Sequence, residues 1–73
     1  MKINEAIQAT AEHFRASGNL SPSHCDVRCA VNDLVSDDPQ ISRKGYDQTR
    51  AWQQVRRALG NPVRREETAY YRR

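Results

Sequence analysis

The stretch Asp47-Gln48-Thr49-Arg50-Ala51-Trp52-Gln53-Gln54-Val55-Arg56-Arg57-Ala58-Leu59 decides how this chain folds. Ala51, Trp52, Val55, Ala58 and Leu59 recur at three- and four-residue steps, so on a helix they form one stripe. Arg50, Gln53, Gln54 and Arg57 project the other way. Asp47 is a fair N-cap, and Gly60-Asn61-Pro62 supplies the stop that glycine followed by proline gives a helix. Trp52, in the middle of the apolar stripe, reads as core.

Working back toward the N-terminus, residues 37–46 read as a long connection with Ile41 as its one large apolar anchor, room for a one-turn helix, and a turn at Gly45. A second helix opens at Ser21-Pro22-Ser23, with Ser21 as N-cap and Pro22 at the first helical position. Its stripe is Val27, Ala30, Val31, Leu34 and Val35, and Ser36-Asp37-Asp38-Pro39 ends it. Cys25 and Cys29 fall on the opposite side, which reads as a helix covered on both faces with two thiols buried as small hydrophobes. A first helix spans about Ile3 to Ser17 through Ile3, Ile7, Thr10/Ala11 and Phe14, and stops at Gly18-Asn19. Leu20 is expected to fold back onto the core. The segment Val63–Arg73 has no periodic apolar face and reads as mobile in the free protein.

The expected fold is therefore all-α: a compact three-helix domain over residues 1–62 with a flexible basic C-terminal tail, residues 63–73. The expected core is Ile3, Ile7, Phe14, Leu20, Val27, Val31, Leu34, Ile41, Trp52, Val55 and Leu59. With 73 residues, 37% of them hydrophobic, and a mean hydropathy of −0.95, one thin-cored domain is the most the chain can build. No stretch approaches the roughly 20 apolar residues of a membrane span. Glu5 and Glu12 stand where a secretory signal would need apolar residues, and two cysteines are too few for a disulfide framework. A cytoplasmic protein is expected.

Charge is the informative asymmetry. Residues 1–42 carry three bases and six acids, net −3, whereas residues 43–73 carry nine bases and three acids, net +6. Ten of the twelve bases are arginine, whose planar fork of donors suits carboxylate and phosphate recognition. A half-acidic, half-basic chain points to a contact made by the basic half. The plainer explanation, arginine-rich codon usage, accounts for the composition better than for its placement. The expected contact residues are Arg43, Lys44, Tyr46, Arg50, Arg56, Arg57, Arg64 and Arg65, with Tyr70 and Tyr71 as anchors, since Tyr and Arg dominate interface hot spots.

The chemistry of sites excludes more than it admits. His24 and Cys25 are neighbours in sequence, so on a helix they do not face each other as base and nucleophile, and no glycine-rich phosphate loop is present. Cys25 and Cys29 lack the second ligand pair of a structural zinc site. No enzyme activity, cofactor or metal is expected. A DNA reader is the serious rival to a protein-binding adaptor, because Arg and Gln on the third helix suit base edges. Against its usual form, a helix-turn-helix joins its helices by three or four residues, whereas about ten separate the second and third helices here. A less usual DNA or RNA contact by the third helix and the tail stays open beside a monomeric adaptor.

In its length, its three-helix pattern and its arginine-rich C-terminal half, which includes Gln48-Thr49-Arg50-Ala51-Trp52-Gln53-Gln54-Val55-Arg56-Arg57, the chain resembles the small transcription regulators of Xanthomonas phages that bind the host RNA polymerase. The resemblance implies binding to the two large polymerase subunits, beta and beta-prime, near the RNA exit channel. It implies displacement of the sigma factor, inhibition of initiation, and read-through of terminators (antitermination). Nascent RNA or the DNA backbone would be a secondary contact. The resemblance assigns no role to any single residue.

Overall fold

The structure, a computed structural model, describes residues 1–71, apart from the side chains of residues 42 and 44. The chain forms α1 (Ile3–Ala16), α2 (His24–Val35), α3 (Pro39–Lys44), α4 (Gln48–Ala58) and α5 (Arg65–Ala69), with no strand among the described residues. α1, α2 and α4 pack on one another in all three pairings. Around them the molecule is a slab of 33 × 33 × 15 Å, so nothing in it is far from solvent.

Small residues lie at the centre of the helix contacts, with Trp52 and Leu59 as the larger members of the core. Ala6, Ala11, Val27, Val31, Val35, Ala51, Trp52, Val55 and Leu59 are buried, and Ile3, Ile7, Phe14, Leu34, Ile41, Tyr46 and Val63 pack against them partly exposed. The α1 stripe is thus centred on Ala6, Thr10 and Ala11, with the larger residues on its flanks, because interaxial distance is set by the side chains at the contact. Leu20 does not join the core. It is 49% exposed, while its carbonyl accepts from Asn61 Nδ2 at 3.0 Å.

The entrance to α2 departs from the expected cap. Ser23, not Ser21, is the N-cap: its Oγ accepts from Asp26 N at 3.1 Å, and Asp26 Oδ2 accepts from Ser23 N at 3.2 Å. Ser21 and Pro22 serve α4 instead. Ser21 Oγ is 2.6 Å from Asn61 Nδ2, and the Pro22 carbonyl accepts the Trp52 indole N–H at 3.0 Å. Asp47 caps α4 as expected, its Oδ1 accepting from Arg50 N at 3.0 Å. Arg15 closes the other end by donating from Nη2 to the Ala58 carbonyl at 2.7 Å.

The connection between α2 and α4 contains the short α3, capped by Asp38 with Pro39 at its first turn. Gly45, at φ 74°, then reverses the chain in a conformation only glycine adopts freely. Cys25 and Cys29 are exposed, because no element among the described residues covers the far face of α2.

The segment expected to be a mobile tail is folded as far as the structure describes it. α5 carries no apolar stripe, but Thr68 is buried and donates to the Arg64 carbonyl at 2.9 Å. Glu67 Oε2 accepts from Arg64 N at 2.9 Å. Polar closure and aromatic stacking hold this turn in place of hydrophobic periodicity. Arg72 and Arg73 lie outside the described residues.

Candidate functional site

The helical wheel of α4 divides its arginines. Arg50, Gln54 and Arg57 lie on the solvent face, opposite Val55 and Leu59, and all three are exposed. Arg50 and Arg57 are seven residues apart, nearly two turns, which sets them about 10 Å apart along one side of the helix. Arg50 and Gln54 also line a shallow groove against Ile3, Asn4 and Ile7 of α1. Arg43 on α3 and Arg65 on α5 are exposed as well. The Lys44 side chain lies outside the described residues.

Arg56, expected among the contact residues, is buried rather than on the solvent face. It is 5% exposed, donates from Nε to the Asn61 carbonyl at 2.9 Å, and sets Nη1 3.6 Å from Glu67 Oε1. Its guanidinium also lies over the Trp52 ring, 6.0 Å from the centroid. Lying 120° round α4 from Arg50, it turns toward α5 rather than toward solvent. Tyr46 is likewise structural: half-buried, it donates to Asn32 Oδ1 and straps the turn before α4 onto α2. Burial raises its phenol pKa, with Arg28 opposing and Cys29 adding to the rise. The Arg56–Glu67 contact is the one arginine–carboxylate ion pair among the described residues. Among the described residues, no acid of positions 1–42 forms an ion pair with an arginine of α3, α4 or α5.

Arg64, Tyr70 and Tyr71 come together elsewhere, in a cleft of about 780 Å³ between the entrance of α2, α4 and α5. Arg56 and Trp52 form its inner wall, with Ser21, Ser23 and His24 on one side and Glu66 on the other. Tyr71 stacks on His24 with centroids 4.0 Å apart at 11°, and meets Trp52 edge-on at 5.3 Å. Tyr70 leans edge-on against Tyr71 at 5.0 Å and is 84% exposed. His24 Nε2 lies 3.3 Å from Thr49 Oγ1. Burial, with the nearby Arg28 charge, holds its pKa below the ordinary 6.5.

The sequence reading named the arginines and tyrosines but missed the cleft that gathers some of them. His24, Asn61 and Glu66 were not counted as its walls. One signal was available: Arg56 follows Trp52 by four residues, the spacing at which a guanidinium reaches a ring one turn back. The two cysteines share one exposed face, but no group of three or more metal-ligating side chains exists among the described residues. No helix among them is long and apolar enough to cross a membrane.

No family model, no curated protein and no solved structure matches the chain.

Proposed function

We propose that the protein is a non-enzymatic transcription regulator that acts by docking on bacterial RNA polymerase. The carrying observation is that Arg50 and Arg57 share one face of α4 with no carboxylate partner among the described residues, although the other half of the chain is acidic. Exposed guanidinium groups held on a rigid helix steer and orient a complex with an acidic surface. The polymerase assignment is supported by the resemblance in length, three-helix pattern and arginine-rich C-terminal half, and so are sigma displacement, inhibition of initiation and terminator read-through. Beta and beta-prime are the proposed contact subunits.

The test is a binding titration of purified bacterial polymerase, core and holoenzyme, with the wild-type chain and the double variant Arg50→Glu/Arg57→Glu. Both side chains are exposed, so the variant keeps its helical circular dichroism. It loses at least about tenfold in affinity if this face docks. Unchanged binding removes α4 from the interface, and no binding by the wild type removes polymerase.

One observation favours the second reading, a small DNA- or RNA-binding regulator. α3 fills much of the connection that had argued against a helix-turn-helix, leaving only Gly45-Tyr46-Asp47 before α4. A three-residue turn is the spacing that motif uses, and α4 would then be the recognition helix, with Arg50, Gln54 and Arg57 toward the groove. Salt dependence separates the readings: each duplex phosphate contacted adds about −0.9 to the log–log slope. The absence of duplex or single-strand binding at low salt leaves the docking reading alone.

A further inference from the structure

The cleft between α2, α4 and α5 holds side chains with no use in the fold. Tyr70 is the most exposed large hydrophobic side chain of the described chain, and it stands at the edge of this open cleft. Glu66 and the Arg64 guanidinium line the same cleft, and neither makes a hydrogen bond or ion pair among the described residues. Behind them Arg56 is fixed by the Asn61 carbonyl and Glu67, so the inner wall presents a pre-set cation.

These groups narrow the ligand chemistry. A bare anion would be repelled by Glu66 and would leave Tyr70 idle. A cation would meet Arg64 and the buried Arg56. An apolar ligand would desolvate Arg64 and Glu66 without pairing them, which costs free energy for each group. A planar heterocycle that carries both adjacent N–H donors and an attached phosphate uses all of them. We propose that the cleft binds a guanine nucleotide: Tyr70 stacks on the base, Glu66 accepts from N1–H and N2–H of its Watson–Crick edge, and Arg64 takes the phosphate. Adenine fails this arrangement because its unprotonated N1 would face the carboxylate. The cleft volume, about 780 Å³, lies within the range of small-molecule sites.

The same chemistry arises from a free nucleotide or from an unpaired guanosine in a single strand. The proposal goes beyond the docking reading and does not rest on it, since the α4 face lies on the other side of that helix from Trp52.

Trp52 is the sole tryptophan and a wall of the cleft, so its emission reports occupancy directly. The intact chain is titrated with GMP, with AMP, and with short single-stranded RNAs that contain or lack guanine. GMP should change the emission saturably and AMP should bind at least about tenfold more weakly, the loss expected when a carboxylate faces an acceptor instead of two donors. Guanine-containing RNA binding more tightly than GMP identifies the strand as the source, and equal affinity identifies the free nucleotide. Glu66→Gln should erase the preference for guanine, and Tyr70→Ala should lower affinity by about tenfold, both with unchanged circular dichroism because both side chains are exposed. Arg50→Glu/Arg57→Glu should leave GMP binding intact even if polymerase binding is lost. The absence of a saturable response to both GMP and guanine-containing RNA overturns the proposal. So does equal affinity for GMP and AMP, or a guanine preference that survives Glu66→Gln.

Discussion

Arg56 Nη1 lies 3.6 Å from Glu67 Oε1, a contact that joins the interior of α4 to the short α5. Arg56 is 5% exposed whereas its neighbour Arg57 is on the surface, so two adjacent arginines do different work. Replacing Arg56 by Ala removes the Nε–H donated to the Asn61 carbonyl and the anchor of Glu67. A loss of about 1.5–3 kcal/mol follows, the range for a hydrogen bond from a charged group. Arg57→Ala should change chemical denaturation by less than about 0.5 kcal/mol. A melt in which the two variants are equally stable would contradict the placement of Arg56.

Trp52 ties α4 to the entrance of α2, packing in the core and donating its indole N–H to the Pro22 carbonyl at 3.0 Å. Trp52→Ala should cost about 3–5 kcal/mol, close to the entire stability of a domain this small. Trp52→Phe keeps most of the volume but leaves the Pro22 carbonyl without its donor, at a cost of about 1–3 kcal/mol. Urea titration of both variants checks the order, and Trp52→Phe as damaging as Trp52→Ala would show that packing is not the larger part.

The three long helices were legible because their apolar residues repeat at helical spacing, and the α4 cap at Asp47 because aspartate is suited to that position. What periodicity could not reveal was the centre of each contact. Ile3, Ile7 and Phe14 look like the core of α1, yet Ala6 and Ala11 occupy it because helices close in where side chains are small. α5 was illegible for another reason: Glu67, Thr68 and Tyr71 hold it by polar and aromatic contacts that leave no hydrophobic pattern. The exposure of Cys25 and Cys29 depends on the absence, among the described residues, of a second layer over α2, a global property that no local pattern encodes. The candidate cleft combines residues from positions 21 to 71, so only the folded chain shows it.

His24 gives stability a pH dependence above the range of the carboxylates. Its pKa is lowered in the folded state, chiefly by burial and then by Arg28, so the unfolded chain binds its proton more readily. Stability is then complete above the unfolded value of about 6.5 and falls as pH drops toward the folded value. Asp37 and Glu67, whose carboxyl pKa values are also lowered, act separately: their contribution is present above their unfolded values and is lost as pH falls through the folded ones. The melting temperature should therefore decline as pH falls below about 6.5, and His24→Gln should flatten that decline. A decline of the same size in His24→Gln would assign it to other groups.

Thr10 offers a test in the stabilising direction. It is 1% exposed in the middle of α1, and its hydroxyl has no hydrogen-bond partner among the described residues. A buried hydroxyl without a partner keeps its desolvation penalty and gains nothing in return. Valine has nearly the same shape and a similar helix propensity, so Thr10→Val removes the penalty without opening a cavity. The expected gain is about 1 kcal/mol, or about 4–8 °C in melting temperature for a domain of this size. Thr10→Ala should instead lose stability, because the methyl group it deletes leaves a void between α1 and its neighbours. If Thr10→Val melted below the wild type, the hydroxyl would have to be bonded, and the packing of α1 described above would need revision at that point.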